Sequence, residues 1–296
     1  MRSGLVLVVA LAGCLAGPEP GVADIPEPQT RFPVIIDYAM AGCHGNAMFF
    51  LLPPEALDAL LPGGFRVRDA SGLFNGVSMD LGKGVVFVAS MECNGNETDF
   101  FVGEHAYSFV AILTEEPRVP HQEVESESRF NFYMPGLHMD NEVLQGLLAT
   151  WQWPVTPAAV AVRNDVPDNP IPPTNPGPHV GKGAASVHTD FGYDYQILTP
   201  IPGSRDGAIL PFDNLQMRLW VQNELGTGAF EYRFGHDVPI GAITTCNFDA
   251  GSLPATILGT TDCKDLPEDA MDQTGSALFE NLHADARLVW LPGVFA

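Results

Sequence analysis

Apolar and polar residues alternate most cleanly in the second half of the chain. Leu215, Met217, Leu219 and Val221 form one period-two run, and Phe230, Tyr232 and Phe234 form another. Successive side chains of a strand point to opposite faces, so this spacing predicts strands with one face in a core. Phe130, Phe132 and Met134 repeat the pattern within 129–134. Residues 34–40, 47–52, 85–91 and 107–113 are also strand-like, and 286–291 predicts a closing strand. Pro53 to Pro62 predicts a short helix, with prolines at its start and Leu57, Leu60 and Leu61 on one face. Residues 141–150 fit either a short helix or a strand and loop. The Pro- and Gly-rich stretch 164–183 predicts a long surface loop. Many short alternating segments separated by Gly and Pro indicate a mainly β fold with few short helices, an antiparallel barrel or sandwich.

Composition adds limits. The chain has 296 residues, 46% of them hydrophobic, enough for one large β domain or two ordinary ones. Thirty-six acidic residues against 14 basic ones give a net charge of -22. Without a basic stripe to neutralise phosphates, no nucleic-acid partner is expected. The acidic residues are scattered, which fits a solvated surface.

The N-terminus changes the picture most. Met1-Arg2 is a short positive region, and Gly4 to Leu11 is an apolar run too short to span a bilayer. The following Leu11-Ala-Gly-Cys14 resembles the lipobox of bacterial lipoproteins, which implies cleavage before Cys14 and lipidation of that cysteine. The alternative is an ordinary secretory signal cut slightly later. Either way the mature chain is expected outside the cytoplasm, held at the cell envelope by its lipid. The expected organisation is a signal peptide at 1–13, a Pro-rich tether at 14–32 and a single domain at 33–296. Export leaves Cys43, Cys93, Cys246 and Cys263 in an oxidising compartment. Of three connectivities, Cys43–Cys93 with Cys246–Cys263 is preferred, because each pair joins neighbouring strand-like segments. No cysteines have zinc-site spacing.

At mid-chain, Trp151-Gln-Trp-Pro-Val-Thr-Pro157 follows the acidic run Asp140-Asn-Glu142. The aromatic-Pro step fixes an extended or turning backbone. Other motifs fall away. Gly177 to Lys182 imitates a phosphate loop but is too short, and no Ser or Thr follows Lys182. His188, Asp190 and Asp194 could share a metal, yet no second His group has ligand spacing, so neither metal nor cofactor is expected. There is no Gly-x-Ser-x-Gly elbow. His44, His138 and His283 lie beside the motif segments without an assignable role. Asn96-Glu-Thr98 is formally a glycosylation sequon, with no use expected in a bacterial lipoprotein.

Three segments carry a resemblance. Met48 to Phe65 resembles the opening of the acetoacetate decarboxylase family, where a strand leads into a helix ending at a Leu-Pro step. Asp140-Asn-Glu142 followed by Trp153-Pro154 is similar to the family's acidic turn and aromatic-Pro step, and Leu282 to Trp290 to its terminal strand. The resemblance implies a closed antiparallel β-barrel around a buried apolar pocket. In active members a lysine pair directly follows the aromatic-Pro step. One lysine forms an imine with a β-keto acid, and the other lowers its pKa. Here those positions read Val155 and Thr156. The three lysines, Lys83, Lys182 and Lys264, lie elsewhere, the first two in Gly-Lys-Gly sequences that read as exposed turns. The family's pocket arginine has no counterpart between Tyr38 and Leu52. Glu92 falls where the family carries a pocket glutamate, and in apolar surroundings could act as acid or base.

Three readings follow. The first is a protein without Schiff-base chemistry whose apolar pocket binds a small organic acid or hydrophobic metabolite. Trp151, Trp153, Val155 and Thr156 would wall that pocket, with Glu92 as polar anchor. The second is a carbon–carbon or carbon–oxygen lyase using Glu92 and a histidine as an acid–base pair. The third is a structural envelope protein with a filled barrel. Assembly into a homo-oligomer is left open.

Overall fold

A computed structural model arranges the alternating segments as strands of two sheets. It describes residues 34–70, 82–93, 104–117, 130–165, 182–189, 193–200, 209–210, 215–234, 238–241, 245–266 and 275–292. The signal peptide and tether, with Cys14, and the sequon at 96–98 lie outside the described residues, as do Gly177 to Gly181 and Asp190. In chain order the elements are β1 (Val34–Leu52), α1 (Pro54–Asp58), β2 (Gly84–Cys93), β3 (His105–Thr114) and β4 (Phe130–Met139). Then come α2 (Glu142–Thr150), β5 (Val155–Pro157), β6 (Val160–Asp165), β7 (Lys182–Thr189) and β8 (Tyr193–Pro200). The remainder is β9 (Ile209–Leu210), β10 (Leu215–Asn223), β11 (Gly226–Phe234), β12 (Val238–Gly241), β13 (Thr245–Phe248), α3 (Leu253–Leu258) and β14 (Gly275–Pro292).

The larger sheet runs β1-β2-β3-β4-β10-β11-β14-β12-β9, with β5 on β4 and an additional β1–β14 pairing. The 18-residue β14 is long enough to pair with β11, β1 and β12 along its length, which rolls the sheet. The expected closed antiparallel barrel is corrected in two respects. The sheet continues through β12 to β9 instead of ending as one hydrogen-bonded ring, and β4 pairs in parallel with both β10 and β5. A second, four-stranded antiparallel sheet has the order β13-β8-β7-β6.

Period-two alternation divides the rolled sheet into two faces. Phe87, Ala89 and Met91 of β2 and Tyr107, Phe109 and Leu113 of β3 enter the inner core, with Met217, Leu219 and Val221 of β10. The residues between them, including Val86, Val88, Val110 and Ile112, enter a second core completed by Val160, Val162, Phe248 and Ile257. Thus β2 and β3 are covered on both sides, which explains their nearly unbroken apolar runs. Close approach explains two glycines. A Cβ on Gly45 would run into the Ser90 backbone oxygen, and one on Gly136 would stand 2.7 Å from Leu253 of α3.

Local signals account for the helices. The undecided stretch 141–150 is helical because the Asn141 side chain accepts the Leu144 N–H at 2.9 Å, capping α2. Its far end closes with Trp153 N–H on Leu148 O and Gln152 N–H on Ala149 O, around Gln152 at φ 53°. The helix expected over 53–62 stops at Asp58, leaving Leu57 buried but Leu60 exposed, a correction to the predicted face. The segments 34–40 and 47–52 are one strand interrupted by irregularities on either side of Cys43. The stretch predicted as a loop over 164–183 is strand at both its ends. Both preferred cysteine pairs are bonded, Cys43 to Cys93 across β1–β2 and Cys246 to Cys263 behind β13. Among the described residues no helix is long and apolar enough to cross a membrane.

Candidate functional site

Four strands and one helix converge on a cavity inside the rolled sheet. β3 contributes His105, Tyr107 and Phe109, each two residues from the next and so on one face. β4 contributes Met134, Leu137 and Met139, although 134 and 137 differ in parity. An irregularity between Val110 and Ile112 in the β3–β4 pairing supplies the extra β4 residue that switches the phase. Leu219 of β10, Phe230 and Tyr232 of β11, and Leu144 of α2 complete the wall. The cavity has a volume of about 10 Å³, room for roughly one water molecule.

The wall is aromatic and sulfur-rich. The rings of His105 and Tyr107 stack with centroids 6.0 Å apart, and those of Tyr107 and Phe109 at 6.1 Å. The Tyr107 hydroxyl donates to Met91 Sδ at 3.8 Å, a weak acceptor. Among the described residues no lysine, arginine or carboxylate belongs to the wall, and His105 is its single imidazole, buried to 4% exposure. Among the described residues no three His, Cys, Asp or Glu side chains are grouped to hold a metal.

The mid-chain corner backs this cavity without lining it. Trp153 is buried and meets Phe230 edge-on at 4.7 Å between centroids. Trp151 and Val155 are half-buried against the same inner core. Asn223 Nδ2 donates to the backbone oxygens of Trp151 and Gln152 at 2.7 and 2.9 Å, pinning the corner to the end of β10. Thr156 is exposed and pairs with His138 across β4–β5, on the opposite side from Val155. The acidic run before the corner is structural. Asp140 accepts the Ala106 N–H at 2.7 Å, and Asn141 caps α2.

The structure does not bring Glu92 to the cavity. Its neighbours Met91 and Cys93 enter the inner core, so Glu92 lies on the other face of β2 with Val86 and Val88. There it meets His44, Nε2 to Oε2 3.7 Å, both side chains about one-third exposed. His138 is likewise on the outer face, where burial pushes its pKa down to about 4. Lys83 is half-buried beside Gly82, and Lys182 is the first residue of β7, not the turn expected of it. The side chains of Lys182, His188, Asp194 and His283 lie outside what is described. His105 was missed from sequence, although the alternation through Tyr107 and Phe109 extends back to it.

No sequence-family model matches the chain, and no curated protein matches it by sequence. Solved structures do match. An acetoacetate decarboxylase-like enzyme from Sphingomonas wittichii RW1 aligns with a TM-score of 0.50 at 13% identity, covering 87% of this chain and 94% of that one. The enduracididine biosynthesis enzyme MppR complexed with pyruvate is similar at 0.47 and 13%, with 92% and 95% covered. The acetoacetate decarboxylase of Legionella pneumophila gives 0.47 and 9%, with 92% and 93% covered. The first of these gives the chain the acetoacetate decarboxylase-like fold, and at 13% identity the likeness concerns the fold alone.

Proposed function

We propose that this protein binds a small molecule inside its rolled sheet without imine chemistry, exported and held to the envelope by a lipid on Cys14. The observation that carries the reading is the wall of the cavity. It is built from aromatic, aliphatic and methionine side chains, as ligand pockets usually are, with Val155 and Thr156 where the resembling family has its lysines. Two disulfides support the exported location, since they persist in oxidising compartments. Methionine is flexible at three torsions, so Met134 and Met139 can move aside to enlarge the small cavity.

The test is intact mass after borohydride reduction in the presence of β-keto and 2-keto acids, paired with tryptophan fluorescence titrations. No mass adduct is expected, together with saturable quenching from Trp153. An adduct lost on replacing Lys83 or Lys182 would overturn the reading. A second reading is favoured by the cavity's size: an interior filled by its own side chains fits a structural envelope protein. The lyase reading has its acid–base pair in His44 and Glu92, but neither lines the cavity.

A further inference from the structure

Every formal charge described on the central strands of the rolled sheet stands on its outer face. On β10 Arg218 is flanked by Met217 and Leu219 of the inner core, and on β11 Glu231 is flanked by Phe230 and Tyr232. Arg287 of β14 is opposite both Glu231 and Asp37 of β1, while Ala286 is opposite Tyr232 and Tyr38, and Leu288 opposite Phe230 and Ile36. A single strand residue separates the charged row from the uncharged rows on either side of it. On β2, Glu92 is out of phase with Met91 and Cys93 in the same way.

We infer that the cavity selects an uncharged ligand, an apolar molecule carrying one hydrogen-bond acceptor, and rejects carboxylates. This rests on the reading of the cavity as a ligand site. A carboxylate entering it would lose its hydration, with no lysine or arginine among the described wall residues to replace it. The chain's net charge of -22 adds long-range repulsion of anions. A carbonyl oxygen suits the wall better. It is a stronger acceptor than the Met91 thioether that now takes the Tyr107 hydroxyl proton, and so competes for that proton. Ring faces and methionine sulfur then cover the alkyl part.

The experiment compares 2-hexanone with pentanoate at pH 7 by ligand-observed NMR titration of the whole mature protein. The two have nearly the same shape, a methyl group replacing the charged oxygen. The ketone is expected to bind at least ten-fold more tightly. Tyr107→Phe should weaken the ketone about five-fold, the value of one hydrogen bond, and leave pentanoate unchanged. Leu219→Ala, which enlarges the cavity, should keep the same order of preference. Pentanoate binding as well as or better than the ketone would overturn the inference while leaving the binding reading intact. Failure of both ligands, in the parent and in Leu219→Ala, would overturn both.

Discussion

The two faces of the rolled sheet come from the same strands one residue out of step, yet they solve different problems. Inward, Met217, Leu219 and Val221 join Phe230 and Tyr232 in a core without formal charge. Outward, the intervening Arg218 is 2% exposed and is held by carboxylates on both sides. Its Nε lies 2.8 Å from Glu231 Oε1 as an ion pair, and its Nη1 donates to Glu116 Oε1 at 3.2 Å. Beside it the Trp220 indole N–H donates to Asn131 Oδ1 at 2.9 Å. A second outer row, Asn46, Ser90, Ser108, His138 and Thr156, occupies successive register positions across five strands. Within it the Ser90 hydroxyl donates to Ser108 Oγ at 2.8 Å, which in turn donates to Ala89 O at 3.1 Å. The contrast teaches where register comes from. Sliding β10 by one residue would turn buried Arg218 toward the cavity and Leu219 of its wall into the charged row.

The largest test of this contrast is Arg218→Ala, which strands Glu231 in a site where its side chain is 12% exposed. A loss of about 3–5 kcal/mol in urea unfolding is expected, the range for breaking a buried pair from one side. A loss under about 1 kcal/mol would mean that the outer network is not what fixes the register. A smaller effect is expected at His138, whose cross-strand neighbours Ser108 and Thr156 carry no charge. Its imidazole resists protonation in the folded chain, with pKa lowered from 6.5 to about 4. The unfolded chain therefore binds a proton first as pH falls, and stability present above pH 6.5 is lost progressively toward pH 4. His138→Gln should flatten that part of the urea midpoint–pH curve, and an unchanged slope would assign it to another group. The smallest effect concerns the corner that sends Val155 inward and Thr156 outward. Gln152 holds the left-handed conformation there, so Gln152→Gly should stabilise by about 0.5–1 kcal/mol, read as a Tm rise of about 1–3 °C.

Much of this division was written in local pattern. The runs at 215–221 and 230–234 predicted strands, and the residues that enter the inner core are those that alternate. The disulfides were legible for the same reason, since each joins segments close in the chain's β order. The side of the sheet that carries Glu92 is legible in the sequence. If Cys93 is tied to Cys43 inside, the residue before it belongs to the other face, and parity alone separates Glu92 from the interior. His105 extends β3 two residues before the strand-like run at 107–113. The parallel pairing of β4 with β10, and the second sheet that covers β2 and β3, left no local trace. Both depend on contacts between segments far apart in sequence, which propensity and periodicity do not encode.

The pairing of β1 with β14 joins the two ends of the described chain. A polypeptide emerging from its N-terminus must carry β1 with one edge unsatisfied until nearly the whole sequence has been made or translocated. Contacts this distant in sequence slow folding, because the loop is closed before the contacts that reward it form. Losing the last twenty residues would remove the shared partner of β1 and β11 and half of the β12 pairing, exposing strand edges together and inviting association with other chains.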